Sequence, residues 1–157
     1  MPGRMLWLAL AMAVVVAGCF APRAETSARG WRPDGPGGRT LSQLLALSPG
    51  IASTTWESFA GPAGVTEVRL TAEYAVPRLA AACPAPPAAQ ETAARAFLIL
   101  GLTVTPAGQV DFAYAEARGY AASGAWQSTP LDIGVVADLV ARAAVLPCAA
   151  LTLPKGS

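Results

Sequence analysis

The sequence predicts an α+β domain in which a small, largely antiparallel sheet of three to four strands packs on one main C-terminal helix and a short N-terminal helix. Three observations support this prediction. Residues 65–76 alternate between apolar and polar, two apolar runs flank the turn at residues 106–108, and residues 131–143 carry an apolar stripe with helical spacing.

The predicted domain begins near residue 41 with a short helix. Thr40 is a suitable N-cap, and residues 48–50, Ser-Pro-Gly, provide a stop signal. The apolar side of this helix consists of Leu41, Leu44 and Leu45. We expect that side to pack on the sheet.

The first predicted strand has one apolar and one polar face. The apolar positions are Val68, Leu70, Ala72, Tyr74 and Val76, and the polar positions are Glu67, Arg69, Thr71 and Glu73. Pro77 ends the alternation. This pattern predicts a strand that is buried on one side.

A β-hairpin is predicted next. Residues 96–105 are apolar at most positions, which is typical of a strand in the centre of a sheet. The turn Pro106-Ala107-Gly108 leads into a second arm in which Val110, Phe112 and Tyr114 alternate. Phe97 and Ile99, on the second face of the first arm, must then be covered either by the helix at residues 41–47 or by a partner.

The main helix is predicted near the C-terminus. Thr129 at the cap, Pro130 at the first position and Asp132 in the first turn indicate where it begins. The apolar stripe consists of Leu131, Val135, Leu139 and Ala143. Residues 149–153 predict a short last strand.

Composition limits the class of protein. The 157 residues are 54% hydrophobic and 13% charged, which is more apolar than is usual for a soluble domain and indicates a segment outside the fold. Removal of residues 1–18 takes Arg4 with it and leaves ten basic and ten acidic side chains. Because a neutral chain has no strong basic field, we expect no nucleic-acid partner.

The N-terminal segment resembles an export signal. Arg4 precedes an uncharged apolar run over residues 5–16, and Val16-Ala17-Gly18-Cys19 resembles the lipobox of bacterial lipoproteins. The resemblance implies that residues 1–18 are a signal peptide and that Cys19 is acylated on its sulfur and on its new amine. Membrane lipid would then be a partner through Cys19. The alternative is an uncleaved anchor helix with an incidental cysteine.

The same resemblance implies a location. Phe20 follows the cysteine, where aspartate would retain a member of this family in the inner membrane, so an outer-membrane protein facing the periplasm is expected. Residues 19–40, rich in Pro, Gly and Arg, predict a flexible tether with a reach of roughly 25 Å. Trp31 within it docks on the domain, lies at the membrane interface or stays exposed. Residues 41–157 are expected to form a single α+β periplasmic domain.

Cys83 and Cys148 are predicted to form a disulfide. Pairing is the default in an exported protein, and both cysteines adjoin a proline at the edge of a regular element. In the chain-entropy model, such a bond stabilises the fold by roughly 4 kcal/mol. The alternative is two separate buried thiols. A zinc site needs three or four ligands, which the sequence does not show.

A second resemblance concerns the C-terminal half. Residues 102–124, LTVTPAGQVDFAYAEARGYAASG, followed by residues 131–147, LDIGVVADLVARAAVLP, are similar to the C-terminal domains of TonB and TolA proteins. The resemblance covers about residues 96–147 and departs from that pattern through a longer connection at residues 120–130. It implies a small periplasmic protein-interaction fold.

Few residues are candidates for catalysis. The chain has no His, so Ser-His and Cys-His nucleophile pairs cannot form. Glycan cleavage would need two carboxyl groups about 5 to 9.5 Å apart. Glu67 and Glu73 lie about 20 Å apart along one strand face, and a regular strand sends Asp111 and Glu116 to opposite faces. We therefore expect no enzyme activity, no cofactor and no metal.

Contact surfaces are the remaining candidates for function. Trp56, Phe59 and Trp126 lie outside the predicted strands, and large aromatic residues are enriched in binding hot spots. The alternative is that they cover the ends of the sheet. The sequence thus predicts a non-catalytic accessory or adaptor lipoprotein that holds another envelope protein near the membrane. A carrier of small apolar ligands or lipids and a divergent glycan-acting hydrolase are the alternatives.

Overall fold

The structure, a computed structural model, describes residues 23–48, 50–81, 83–141 and 146–155. The strands of its main sheet are β1 (Ile51–Ala60), β2 (Thr66–Tyr74), β4 (Arg95–Val104), β5 (Val110–Tyr120) and β6 (Trp126–Leu131). They form a five-stranded antiparallel sheet in the order β1-β2-β4-β5-β6. A second, two-stranded sheet pairs β3 (Gln90–Thr92) with β7 (Thr152–Pro154).

The helices are short. They comprise residues 23–30 (α1), α2 (Leu41–Leu47), α3 (Val76–Ala80) and α4 (Ile133–Ala141). Two 3-10 turns lie at Pro62–Gly64 and Cys148–Leu151. Within the described ranges, no helix has both the length and the apolar character needed to cross a bilayer.

The predicted fold class is wrong. The structure is mostly β: the main sheet has five strands where three to four were predicted, and two further strands form a second sheet. The predicted main C-terminal helix, α4, has nine residues and is one of several short helices. It packs mainly on β5 and α2 and does not cover the whole sheet. Two strands, β1 and β6, account for the difference in the main sheet.

The strand β1 was missed because it is an edge strand with mostly exposed side chains. Only three of its residues are partly buried, Ile51, Trp56 and Ser58, so the sequence shows no alternation of apolar and polar positions. It pairs with β2 from Ala60 to Ile51, with an irregularity between Ile51 and Ser53. Hydrogen bonding to a neighbour therefore defines this strand, whereas burial does not.

The strand β6 was mistaken for the start of the main helix. Thr129 and Pro130 lie in β6, at the other edge of the sheet, where a proline is tolerated because no further strand needs its N–H. The helix α4 begins later, with Asp132 accepting a hydrogen bond on its side chain from the Val135 N–H at 2.9 Å. The start signal was real but three residues out of place.

Other predicted elements are confirmed. Thr40 caps α2 in a capping box with Gln43, and the three predicted apolar leucines of that helix are buried. The strand β2 alternates as predicted, with its apolar side chains buried and its polar ones partly exposed. The hairpin β4–β5 is present, and β4 is the central strand of the sheet.

One face of the main sheet, the packed face, carries the hydrophobic core. Its central positions are Val68, Leu70, Ala72, Leu98, Leu100, Leu102, Ala115 and Ala117. The helices α1, α2 and α4 and the C-terminal segment cover these residues with Ala28, Leu41, Leu44, Val136 and Leu151, among others. The helices α1, α2 and α4 thus pack on this one face of the sheet and share a single hydrophobic core with it.

Part of the segment predicted as a flexible tether is helical. Residues 23–30 form α1, and Ala24 and Ala28 are buried in the core. Trp31 is partly buried against the same core, and its carbonyl accepts a hydrogen bond from the Leu41 N–H at 2.7 Å. Of its three predicted positions, Trp31 takes the docked one. The predicted signal peptide, residues 1–18, and the predicted lipidation site Cys19 lie outside the described residues.

The predicted pair of Cys83 and Cys148 is confirmed. The two residues lie at disulfide distance, with a Cα–Cα separation of 5.6 Å, inside the 7 Å limit for bridging without backbone movement. The bond connects the segment between α3 and β3 to the 3-10 turn that precedes β7. It therefore joins the two chain segments that lead into β3 and β7, the strands of the second sheet.

Candidate functional site

The second face of the main sheet is the candidate site, and we call it the open face. Residues paired across neighbouring antiparallel strands share a face, so the register defines its membership. The residues of this face that form the site are Glu57, Phe59, Glu67, Arg69, Thr71, Glu73, Arg95, Phe97, Ile99, Tyr114, Glu116, Arg118, Tyr120, Trp126 and Ser128. The helix α2 packs with the core on the opposite side, so it does not cover Phe97 and Ile99 as the sequence had allowed.

A depression of about 860 Å³ lies in the middle of the open face. Its walls come from β1, β2, β4 and β5 and are mostly arginine, glutamate and aromatic side chains. Ile99 is 9% exposed but does not belong to the core cluster. It is an apolar centre surrounded by charged neighbours.

Three arginines organise this face, each with an aromatic ring and a glutamate. The first is Arg69, whose guanidinium lies 4.6 Å from the centroid of the Phe59 ring and 3.7 Å from the Glu67 carboxylate. The Tyr114 hydroxyl accepts a hydrogen bond from Arg69 Nε at 3.2 Å and donates one to Glu67 at 3.0 Å. The hydrogen bond with Tyr114 is the largest cause of the raised pKa of Arg69.

A glycine makes the contact between Arg69 and Tyr114 possible. Gly101 lies between these two residues in the register, and a Cβ added to it would be 2.2 Å from the Tyr114 ring. The ring lies across the backbone of β4 because nothing projects there. The absence of one side chain thus links residues of β2 and β5 that are not on adjacent strands.

The second arginine is Arg95, the first residue of β4. Its guanidinium lies 4.8 Å from the Phe97 centroid, and its Nε donates a hydrogen bond to Glu73 at 2.8 Å. This hydrogen bond is the main reason that the pKa of Glu73 is lowered. Phe97 meets the Tyr120 ring edge-on, with the centroids 5.6 Å apart.

The third arginine is Arg118 on β5. It lies 5.4 Å from the centroid of the Trp126 ring and forms an ion pair with Glu116, which also accepts a hydrogen bond from Ser128. The pKa of Arg118 is raised, chiefly by its hydrogen bond with the Tyr120 hydroxyl. Its charge is therefore held in place from β5 and β6 together.

The predicted contact residues fall on different sides of the sheet. Phe59 and Trp126 lie on the open face, on the two edge strands, and are 39% and 60% exposed. Trp56 packs against the core from the other side, with the Arg29 guanidinium 4.6 Å from its ring centroid. Trp56 thus covers the core and is not part of the open face.

Sequence reasoning missed the three arginines as a set. The signal was present: in residues 67–73 and 114–120, every second position is charged or aromatic, with Thr71 as the exception. That pattern indicates a strand face rich in arginine, glutamate and tyrosine. Its meaning depends on β1 and β6, which supply Phe59 and Trp126 and were not predicted as strands.

The expectation for Asp111 and Glu116 is corrected. They were predicted on opposite faces, but the register shifts at Gly101 and Leu102, so that Ala113 has no partner and forms a β-bulge. The extra residue changes the parity, and both carboxylates lie on the open-face side. They remain about 13 Å apart along the strand, too far for the paired carboxyls of glycan cleavage.

The electrostatics around Glu73 favour its ionised carboxylate. Arg95 lowers the pKa of Glu73, whereas a general acid in glycan cleavage needs a raised pKa. In the described part of the chain, no group of three His, Cys, Asp or Glu side chains is placed to hold a metal ion. The face offers fixed charges, hydrogen-bonding groups and ring surfaces.

Comparisons with protein-family models, curated proteins and solved structures find no match for this chain. The geometry of the open face and the sequence patterns are therefore the observations that bear on function. The resemblances to lipoproteins and to TonB and TolA domains stay predictions.

Proposed function

We propose that the protein is a lipid-anchored envelope lipoprotein and acts as a non-catalytic adaptor that binds another envelope protein through the open face. The observation that carries this proposal is the set of three arginines, each with a ring and a glutamate, on the side of the sheet opposite the core. Arginine, tyrosine and tryptophan are enriched in protein-protein hot spots.

The extent of the face favours a macromolecular partner. Phe59 and Trp126 lie on strands separated by three others, which places them about 19 Å apart across the sheet, with a further offset along the strands. A small ligand cannot contact both. A flat protein surface can, and the exposed rings at both edges would then contribute to one interface.

The ion pairs would contribute specificity more than affinity. Their side chains are 23% to 61% exposed, and exposed pairs stabilise a fold by about 1 kcal/mol or less. Fixed opposite charges nevertheless select a partner with the complementary pattern. The alternative function as an apolar-ligand carrier fits less well, because apolar ligands favour pockets with mostly apolar linings.

The location we propose is the outer membrane, facing the periplasm, with the anchor at Cys19. Replacement of Cys19 by Ala should leave uncleaved precursor and abolish acyl labelling, because the thiol is the site of the first lipid. Cys83→Ala is the matched control: it removes a different cysteine and should leave processing and labelling intact. A Cys19→Ala protein that still matures and stays in the membrane fraction would contradict the anchor.

The adaptor function is tested by crosslinking and pull-down of the native lipoprotein, followed by mass spectrometry. The double variant Phe59→Ser, Trp126→Ser should recover at least tenfold less of the partner than the native chain. Leu47→Ser changes an equally exposed apolar residue, 58% exposed on α2, and should recover the native amount. Equal recovery by both variants would refute the open face as the interface, and co-purified lipid without any protein would favour the carrier.

A further inference from the structure

One end of the main sheet carries two similar turns without charge. Residues 61–65, Gly-Pro-Ala-Gly-Val, connect β1 to β2, and residues 105–109, Thr-Pro-Ala-Gly-Gln, connect β4 to β5. Both contain Pro-Ala-Gly, and the residues of this tripeptide are exposed in each turn. The turns are neighbours, since a Cβ added to Gly64 would lie 3.2 Å from Pro106.

The helix α1 brings the N-terminal chain to these turns. Arg23, Ala24 and Ser27 line one depression together with residues of both turns. A Cβ added to Gly108 would lie 3.7 Å from the Ser27 hydroxyl. The buried Ala24 and Ala28 fix α1 on the sheet. The described chain therefore begins beside the uncharged end.

The distance from the lipid site to this end is short. Four Cα–Cα steps separate Cys19 from Arg23, which corresponds to a maximum span of about 15 Å. The opposite end of the sheet is farther away, because β5 alone is about 33 Å long. Acyl chains on Cys19 would thus hold one particular end of the domain close to the bilayer.

We propose that this end of the sheet, residues 61–65 and 105–109, is a membrane-apposed surface that contacts phospholipid headgroups. The proposal rests on the anchor at Cys19 that is part of the proposed function. Uncharged proline, alanine and glycine residues lose little hydration energy at such a surface, and the exposed Arg23 beside them suits anionic lipids. The short connection supplies a high effective concentration, so a weak contact is enough.

This orientation has a consequence for the adaptor. If the uncharged end faces the lipid, the strands rise from the membrane and the open face points sideways along it. Arg69, near the anchored end, and Arg118, farther up the sheet, would then meet a partner at different heights above the bilayer. The partner would approach laterally, as a neighbouring envelope protein does.

The test uses the full acylated chain with one added cysteine carrying an environment-sensitive fluorophore. Ala107→Cys places the fluorophore in the uncharged end, and Ala122→Cys places it in the exposed turn after β5, at the other end of the sheet. The protein is reconstituted into phosphatidylethanolamine and phosphatidylglycerol vesicles that contain a headgroup-labelled nitroxide lipid. We expect several-fold stronger quenching at position 107 than at position 122.

A second variant tests the role of the short connection. A flexible insertion of about twenty Gly and Ser residues after Ala21 should bring the quenching at the two positions close together, because the domain can then turn freely. Equal quenching without the insertion, in protein whose acylation is verified by mass, would overturn this proposal alone. Unacylated Cys19 would overturn the anchor as well. A fluorophore that is shielded from water but not quenched would indicate a protein contact in place of lipid.

Discussion

The two faces of the main sheet use the same strands for different purposes. On β4, Leu98, Leu100 and Leu102 point to the packed face and are fully buried, while Phe97 and Ile99 point to the open face among arginines and glutamates. The packed face is continuous and apolar, as a hydrophobic core requires. On the open face, the apolar residues are separated by arginine and glutamate side chains that form ion pairs.

The difference shows which face stabilises the fold and which is available for recognition. Burial of leucine side chains contributes about 1.5 to 3 kcal/mol each, whereas the exposed ion pairs contribute little. An open face maintained by weak interactions can be changed with little effect on folding. Substitutions on the two faces should therefore differ in their cost to folding.

Adjacent residues on β4 provide the sharpest comparison. Leu100→Ala should lower the free energy of unfolding by about 3 to 5 kcal/mol. Leu100 is 0% exposed, so its truncation leaves a cavity that the surrounding side chains fill only in part. Ile99→Ala should cost less, about 2 kcal/mol, since the long polar side chains that surround Ile99 on the open face can fill the space it leaves. Urea unfolding of the two variants measures both values. A larger loss for Ile99→Ala would reverse the assignment of the faces.

Two glycines on β4 and β5 give the next comparison. A Cβ at Gly119 would lie 2.2 Å from the backbone carbonyl oxygen of Ala150, so Gly119→Ala should destabilise the fold by about 2 to 3 kcal/mol. For a Cβ at Gly101 the three nearest atoms all belong to the Tyr114 ring, which can move away. Gly101→Ala should cost less than about 1 kcal/mol in thermal unfolding but should release the hydrogen bonds of Tyr114. Similar losses for both variants would contradict the account.

The packed face also contains a titratable group. Burial raises the pKa of Tyr74 to about 12, and its hydroxyl has no hydrogen-bond partner among the described residues. The pKa of Tyr74 in the folded protein exceeds the usual 10.0. The stability that comes from burying the neutral Tyr74 is therefore complete below pH 10 and is lost as the pH rises towards 12. The loss amounts to roughly 2 to 3 kcal/mol.

The variant Tyr74→Phe keeps the ring and removes the ionisable hydroxyl. It should unfold at about the same temperature as the native chain at pH 7, or slightly higher, because the unsatisfied hydroxyl costs free energy. Between pH 10 and 12 it should lose less stability than the native chain. A native-like alkaline loss in this variant would place the responsible group elsewhere.

The smallest effect concerns Glu73 on the open face. Its pKa is lowered, first by the hydrogen bond from Arg95. The pair therefore stabilises the folded state above about pH 4.5, and this stabilisation is lost as the pH falls through the pKa of Glu73 in the folded protein. Arg95→Gln should raise the Glu73 pKa in a carboxyl NMR titration. Arg32→Gln, at a side chain that bonds the Gly38 carbonyl, should leave it unchanged. No difference between the two variants would exclude Arg95 as the cause.

Sequence patterns predicted the packed half of the molecule better than the open half. The strand β2, the β4–β5 hairpin, the Thr40 cap of α2 and the cysteine pair were all predicted, from alternation, turn residues, a capping residue and the expected oxidising compartment. The edge strands β1 and β6 did not, because their side chains are exposed and Pro130 resembles a helix start. Those are the strands that complete the open face.

Long-range geometry explains the remaining differences. The β-bulge at Ala113 reverses the parity between Asp111 and Glu116, and no residue type at that position announces it. Similarly, the glycine at 101 is explained only by the Tyr114 ring that lies over it. The composition of the segment before residue 41 concealed α1, whose two buried alanines are too small to give a strong apolar pattern.

The central claim is that the open face contacts a protein partner. The most direct measurement is site-specific photocrosslinking in intact cells, with a photoreactive phenylalanine analogue placed at Trp126 or, as the matched control, at Leu47. These side chains are 60% and 58% exposed, so both positions have similar access to neighbours. We predict a discrete protein adduct from position 126 and none from position 47. An adduct from position 47 alone, or the same adducts from both positions, would contradict the claim.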